Sequence, residues 1–214
     1  MGLATAEIPG RDHRVLLADL DGKLLYEAVA RLSARGIDVT TTVCDITDRS
    51  SVDAAFSRAQ SLGVLRAVVH TAGVSPQMGH AEKIIRINAL GTVYVTEAAL
   101  EAAVPGSAPL SKAFVIWYSE RMAAAFGRKS ARVLSVSPGS FDTEMGRLEK
   151  KSGSERMVGF AALKRFGTPE EIAELLTFCV SEKPGYLTGT DIPCVGGNKA
   201  GLTLSGVVAM ARGR

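Results

Sequence analysis

Residues 14–43, RVLLADLDGKLLYEAVARLSARGIDVTTTV, contain two short aliphatic or β-branched runs on either side of a longer amphipathic stretch. The runs Arg14–Ala18 and Ile37–Val43 predict strands. Between them, Lys23–Arg35 places its apolar residues on one helical face, and Gly36 predicts the end of that helix. A strand, a crossover helix and a second strand in this order are typical of a parallel sheet.

The same alternation continues along the rest of the chain. We predict strands over 65–70 and 131–136, and helices over 49–62, 84–100, 112–127 and from Thr168-Pro-Glu-Glu171 onward, where a capping box is combined with a proline in the first turn. The polar, glycine-interrupted range 146–159 predicts a mobile loop that acts as a lid. An α/β chain of 214 residues with 46% hydrophobic content is expected to form one domain, residues 1–214.

Charge and cysteine content narrow the class of function. The 25 basic and 22 acidic residues are spread along the chain and give a net charge of +3, so the sequence predicts no binding to nucleic acid or to a membrane, and a small-molecule partner is expected instead. The three cysteines form no C-x-x-C pair, which predicts buried thiols in a reducing, cytoplasmic compartment rather than disulfides or a metal site. No apolar run approaches the roughly 20 residues that a membrane-spanning helix needs.

Candidate functional residues follow the predicted strands or lie in the predicted helices. They occur in the segments Met1-Gly2-Leu, Asp19-Leu20, Asp45-Ile46, His70-Thr-Ala72-Gly73-Val, Asn88-Ala-Leu-Gly-Thr92, Ser111-Lys112 and Ser137-Pro138-Gly139-Ser-Phe-Asp-Thr143. Each segment alone has an ordinary structural explanation, such as a turn, a helix cap or a solvent-facing side chain. Their order and spacing along the whole chain are more specific than any one of them.

This ordered set of motifs resembles that of the short-chain dehydrogenase/reductase family. The resemblance covers nearly the whole chain and implies a Rossmann-like fold, a doubly wound parallel sheet in three layers, α/β/α. It implies an NAD-dependent oxidoreductase that transfers a hydride between NAD(H) and a secondary alcohol or ketone substrate. Members of the family commonly form homodimers or homotetramers, through the helices that correspond to 84–100 and 112–127.

The resemblance also implies how the cofactor is bound. Gly2 corresponds to the last glycine of the dinucleotide turn, Asp19-Leu20 to the position that binds the adenosine ribose, and Asp45-Ile46 to the position beside the adenine ring. An acid at Asp19 favours NAD over NADP. From the residues alone, Asp19 is equally explained as a solvated turn acid, and Asp45 as a cap on the approach to the next helix. The other implied cofactor contacts are Ala72, Gly73, Lys112, Pro138, Gly139 and Thr143.

In the family, an asparagine holds a water of the proton relay, and a lysine binds the ribose and lowers the pKa of a catalytic tyrosine. Asn88 and Lys112 correspond to these two catalytic residues. The tyrosine expected four residues before Lys112 is replaced by Ala108. None of the tyrosines in the chain is followed by a lysine four residues later; they are Tyr26, Tyr94, Tyr118 and Tyr186.

Two segments of the family pattern are expected to be missing. The first strand and most of its glycine-rich turn have no counterpart before Met1. The residues Glu101–Ser111 are too few to supply both a core strand with the catalytic serine and an active-site loop. Near the end, Val195 replaces the usual aspartate of the last strand, and Pro193 predicts that this strand lies at a sheet edge.

Three hypotheses follow. The first is an active NAD-dependent dehydrogenase whose serine and tyrosine segments are missing from this chain, and the retention of Asn88 and Lys112 favours it. The second is a non-catalytic dinucleotide-binding or interaction protein, which the missing tyrosine favours. The third is a truncated product that does not fold alone, because two missing strands would leave neighbouring backbone groups unpaired at about 1–3 kcal/mol each.

Overall fold

Helices and strands alternate over most of the chain. The computed structural model describes residues 1–75, 78–102, 106–109, 112–149, 155–198 and 200–201, and within these ranges it leaves out the side chains of residues 106–109, 112–113, 148–149 and 156. The strands are β1 (Val15–Asp19), β2 (Val39–Val43), β3 (Ala67–His70), β4 (Gly106–Pro109), β5 (Arg132–Val133), β6 (Ser135–Pro138) and β7 (Asp191–Cys194). The helices are α1 (Gly2–Ala6), α2 (Gly22–Ser33), α3 (Arg49–Leu62), α4 (Ala81–Ile85), α5 (Gly91–Glu101), α6 (Lys112–Gly127), α7 (Glu144–Glu149), α8 (Glu155–Phe160) and α9 (Pro169–Val180). A 3₁₀-helix (Pro9–Arg11) follows α1, and a π-helix (Arg86–Leu90) joins α4 to α5.

All described strand pairs are parallel, which confirms the predicted α/β class. β1 pairs with β2, β4 lies between β3 and β5, and β6 pairs with β7. Only Leu134 separates β5 from β6, so the last two groups of strands follow each other directly along the chain. β7 lies at the edge of its pair, where a proline such as Pro193 is tolerated, as predicted.

Local capping chemistry explains the helix boundaries. The Asp21 carboxylate accepts hydrogen bonds from two amides in the first turn of α2, and Gly36, just past the end of this helix, has a φ of +75°. Asp48 caps α3, which spans the predicted range. At the start of α9, Thr168 and Glu171 form the predicted capping box, in which each side chain accepts from the backbone of the other residue.

The segment before α6 departs from the prediction. Residues 106–109 form β4, in register with Ala67–His70 on one side and with Arg132–Val133 on the other. The expectation that this strand is missing is therefore wrong, whereas the prediction that the segment cannot supply both a strand and an active-site loop agrees with the structure. The strand fits because it has only four residues and α6 begins at Lys112, three residues after Pro109. This arrangement leaves no room for an active-site loop between the strand and the helix.

The range 146–159, predicted to be a mobile loop, contains helical residues at both ends. α7 and α8 occupy its two ends, and the residues between them, 150–154, lie outside the described part of the chain. Thr143 accepts a hydrogen bond from the Gly146 amide at the start of α7. Glu144 in the first turn and Arg147 in the last turn suit the helix dipole, so short-range electrostatics favour a helix where the glycines suggested a loop.

Helices cover both faces of the extended segment that runs through β5, Leu134 and β6. Val133 packs with residues of α5 and α6, whereas the next residue, Leu134, packs with Ile172 and Leu176 of α9. Successive residues of an extended chain point to opposite faces, so these two clusters lie in different layers. The layer arrangement confirms the predicted three-layer α/β/α fold. Among the described helices, none is long and apolar enough to cross a membrane.

A cleft of about 2800 Å³ separates β1 from β3. All residues of both strands line it, together with residues of α1, α2 and α3. None of the residues of β1 is buried, and His70 is the one buried residue of β3. Strands inside a parallel sheet are normally covered on both sides. The sheet is therefore interrupted at this position in the described part of the chain, which agrees with the prediction that the first strand of the family pattern is missing.

We expect hydrogen exchange to report the cleft edge of β1. The Val15 amide donates to Asp38 and the Asp19 carbonyl accepts from Cys44, so the odd-numbered residues of β1 bond to β2 and the even-numbered amides face away from it. The amide protons of Leu16 and Ala18 should exchange about tenfold faster than that of Leu17, measured residue by residue by NMR. Equal protection of all three amides would contradict an open edge.

Candidate active site

The candidate cofactor residues converge on one region because parallel strands end at the same edge of a sheet. Most of them line the cleft between β1 and β3. These are Gly2, Asp19, Leu20, Asp45, Ile46, Ala72, Gly73 and Thr143. Pro138 and Gly139 are not among the described residues that line it.

Gly2 places the start of α1 against the end of β3. A Cβ atom on Gly2 would lie 2.7 Å from the Thr71 Oγ1, and Thr71 is the first residue after β3. The chain therefore approaches this edge more closely than a larger residue would allow. Burial lowers the pKa of the Met1 amino group, which lies in the same region.

Asp19 is the last residue of β1 and is exposed, as is Leu20 beside it. The Asp19 carboxylate accepts a hydrogen bond of 3.0 Å from the Asp21 amide. This bond forms the turn that leads into α2, as the alternative explanation of Asp19 predicted. The carboxylate still lies on the wall of the cleft, so its position suits a polar ligand as well.

Asp45 follows β2, and its carboxylate is engaged within its own loop. One oxygen, Oδ1, accepts from both the amide and the hydroxyl of Thr47, each at 2.8 Å. The Ser51 hydroxyl accepts from the Asp45 amide at 3.0 Å. Asp45 thus organises the approach to α3. Ile46 packs on the start of α5, where a Cβ on Gly91 would lie 2.7 Å from its Cδ1 atom.

Asn88 is buried in the π-helix, and its side chain holds the loop that follows β3. The Val74 amide donates to Asn88 Oδ1 and Asn88 Nδ2 donates to the Val74 carbonyl, both at 2.9 Å. Gly73 permits this approach, because a Cβ there would lie 3.1 Å from Asn88 Oδ1. The Asn88 side chain therefore binds protein backbone, and its main-chain carbonyl accepts from the Thr92 hydroxyl at 2.9 Å. The relay-water role of Asn88 stays a prediction.

His70 is a buried residue of this region that the sequence did not single out. It ends β3, and its Nε2 atom lies 3.2 Å from the Thr92 hydroxyl on α5. Burial lowers the pKa of His70 to about 4, so the imidazole is neutral at physiological pH. A histidine at the end of a predicted buried strand was the available signal.

Gly139 has a structural role that its motif did not reveal. Its amide donates to the Cys194 carbonyl at 2.9 Å, and a Cβ would lie 2.8 Å from the Cα of Val195. Glycine is therefore needed for close packing between the end of β6 and the end of β7. Thr143, four residues further on, lines the cleft while its hydroxyl caps α7.

Lys112 is the first residue of α6, and Ala108 lies in β4 opposite Val69. The side chains of both residues lie outside the described part of the structure. The backbone alone shows that the position of the family's tyrosine falls within a paired strand rather than in a loop. The contacts predicted for Lys112 stay predictions.

Comparison with known proteins identifies the family. The family model described as enoyl-(acyl carrier protein) reductase matches residues 1–110 and 108–199. The chain belongs to the short-chain dehydrogenase/reductase family. The two matched stretches overlap at residues 108–110, so the match to the family model is divided at the segment that holds Ala108.

Individual relatives cover most of the chain. The short-chain dehydrogenase/reductase bsc3 of Alternaria brassicicola is 29% identical over 95% of this chain and 93% of its own length. The 2-(S)-hydroxypropyl-CoM dehydrogenase 3 of Xanthobacter autotrophicus is 27% identical over 94% and 92%. A crystal structure of a variant actinorhodin polyketide ketoreductase with NADPH superposes with a TM-score of 0.82 over 92% of each chain, at 17% identity.

Family membership and these relatives show a short-chain dehydrogenase-type oxidoreductase. The cleft suits a dinucleotide cofactor, because the small residues Gly2 and Gly73 and the acidic residue Asp19 line it together. In the described part of the chain, His, Cys, Asp and Glu side chains form no group of three that could hold a metal ion.

We expect His70 to make stability depend on pH. Below about pH 6.5 the unfolded chain gains a proton on this histidine, whereas the folded chain does not until about pH 4. The free energy of unfolding should therefore fall by roughly 2 kcal/mol between pH 7 and pH 5. Urea unfolding at the two pH values measures this difference. His70→Gln should lack the loss, and an equal loss in this variant would assign it to other groups.

Proposed function

We propose that this protein transfers a hydride between NAD(H) and a secondary alcohol or ketone. The observation that carries the proposal is the convergence of Gly2, Asp19, Gly73 and Thr143 on one cleft. The name of the Xanthobacter relative, a 2-(S)-hydroxypropyl-CoM dehydrogenase, supports a secondary alcohol as substrate. When bound, the nicotinamide supplies or accepts the hydride.

The residues of this chain divide the task of binding the cofactor. Asp19 would accept hydrogen bonds from the adenosine ribose, and its negative charge would disfavour the extra phosphate of NADP. The backbone of Ala72 and Gly73 would hold the cofactor, with Asp45 and Ile46 toward the adenine and Thr143 toward the nicotinamide. Lys112 would bind the ribose.

This chain lacks the tyrosine that transfers the proton in the family. Alanine carries no exchangeable side-chain proton, so Ala108 cannot replace the tyrosine of the family. Cofactor binding does not require that proton. We therefore expect this chain to bind NADH but to turn over its substrate slowly.

The test is a fluorescence titration with NADH and with NADPH, combined with an assay of NAD reduction by secondary alcohols. The chain should bind NADH more tightly than NADPH. Asp19→Ala should weaken NADH binding about tenfold, the loss of a hydrogen bond to a charged group, and should weaken NADPH binding less.

Glu155→Ala is the matched control, since Glu155 is an exposed acid at the start of α8, outside the residues that line the cleft. It should change neither affinity. Equal losses for both cofactors in Asp19→Ala would contradict the assignment of NAD. Binding of NADH with no detectable NAD reduction would favour the alternative, a non-catalytic dinucleotide-binding protein.

We also propose that the protein is cytoplasmic and forms a homodimer or homotetramer through α5 and α6. The free thiols of Cys44, Cys179 and Cys194 support a reducing compartment. The exposed side chains of Phe114 and Trp117 on α6 support an interface, because large exposed aromatic residues are typical of protein contacts. Their rings lie 5.9 Å apart.

Replacing Trp117 by lysine should dissociate the oligomer. Trp117 is 53% exposed and lies beneath the Arg121 guanidinium, so a second cation there would repel Arg121 and remove the central apolar surface. Sedimentation velocity should show a smaller particle for Trp117→Lys. Tyr186→Lys, at a fully exposed aromatic residue between α9 and β7, should leave the size unchanged. An unchanged particle for Trp117→Lys would rule out this surface.

A further inference from the structure

We propose that His70 is a positioning residue for the cofactor-facing loop, acting through Thr92 and Asn88. The loop consists of residues 71–75, which leave β3 and include Ala72 and Gly73. Its role toward a cofactor rests on the proposed function, whereas the hydrogen-bonded connection does not. His70 itself is not assigned a contact with cofactor or substrate.

The direction of the His70–Thr92 hydrogen bond is determined by the single proton of the threonine hydroxyl. A threonine hydroxyl has one proton, and the Asn88 carbonyl, 2.9 Å from Thr92 Oγ1, can only accept it. The hydroxyl oxygen must then accept from His70 Nε2, 3.2 Å away. The neutral imidazole therefore carries its proton on Nε2. Both side chains are buried, with Thr92 fully enclosed, so water is a poor substitute for either partner.

Thr92 is connected to the loop through Asn88. The Thr92 hydroxyl holds the Asn88 carbonyl within the π-helix, where a wider turn changes the direction of the residues it contains. The Asn88 side chain then binds both backbone groups of Val74. A reversed amide would place its nitrogen against the Val74 N–H, so the orientation of the Asn88 amide is determined by this contact.

These contacts close a ring. His70 and Val74 are four residues apart along the chain, and the hydrogen bonds connect them a second time through α5 and the π-helix. A loop held at both ends in this way has a defined course beside the helix. Removing one bond opens the ring and lets the backbone of Ala72 and Gly73 move relative to the cleft.

Paired variants separate the hydrogen bonds from side-chain volume. Thr92→Val removes the hydroxyl and keeps the shape, whereas Thr92→Ser keeps the hydroxyl. His70→Leu removes the imidazole donor, whereas His70→Gln places an amide N–H where Nε2 stood. In each pair, only the first variant should release the loop.

The measurement is hydrogen exchange at the Val74 amide, compared with the Cys44 amide, which bonds to Asp19 in the other sheet. Thr92→Val and His70→Leu should speed exchange at Val74 about tenfold and leave Cys44 unchanged, while Thr92→Ser and His70→Gln stay within threefold of the parent. NMR of the histidine ring should show the proton on Nε2. Unchanged exchange at Val74 in Thr92→Val, or a proton on Nδ1, would overturn the proposal.

NADH titration of the same variants tests the consequence for the cofactor. Thr92→Val should weaken NADH binding several-fold, and Thr92→Ser should restore it. If the parent chain binds no NADH, the proposed function fails, but the exchange data still decide the connection from His70 to Val74. If His70→Leu does not fold, the Thr92 pair alone gives the answer.

Discussion

Parallel strands have their carboxyl ends at one edge of a sheet, and the functional region of this protein depends on that constraint. β1 and β2 form one parallel pair and β3 belongs to a second sheet. The loops after these three strands line one cleft, which brings Asp19, Asp45 and Gly73 together although they are far apart in sequence. Contacts with helical residues hold two of these regions in place. Asn88 does so by binding Val74, and Gly2 does so by close contact with Thr71.

The cleft makes the strands beside it, β1 and β3, less stable than β4. β4 is paired on both edges, whereas β1 and β3 are each paired on one edge among the described strands. Backbone groups on an unpaired edge must be satisfied by water, and water also reaches the side chains that would form the core of a continuous sheet. Local opening should therefore begin at β1 and β3, which are also the strands that lead into the candidate cofactor residues.

Features that depend on local chemistry could be predicted from the sequence. α3 and α9 begin at the predicted caps, Asp48 and Thr168, because a capping side chain acts on amides two or three residues away. β4 could not be predicted in this way. The residues Gly106-Ser-Ala-Pro109 have little intrinsic preference for a strand, and their conformation is set by pairing with β3 and β5, which are distant in sequence. The wider turn around Asn88 is missed for the same reason, since its partner Val74 lies in another segment.

In the candidate site too, the sequence predicts some features and not others. A motif gives the position of Asp19, Gly73 or Thr143 on the fold, and the cleft collects these residues. A motif does not give the partner of a side chain. Gly139 packs against Val195, and His70 is bonded to Thr92, although neither contact is visible in the order of residues. Contacts between separate elements need the packed structure.

Pro193 has a consequence for assembly. The Thr190 carbonyl accepts from Ser135 in β6 and the Cys194 carbonyl accepts from Gly139 just after it, so residues 191 and 193 direct their backbone to the outer edge. The proline nitrogen on that edge has no hydrogen to donate. A strand from another molecule would find an incomplete ladder there, and this end of the sheet resists the edge-to-edge growth that leads to aggregation.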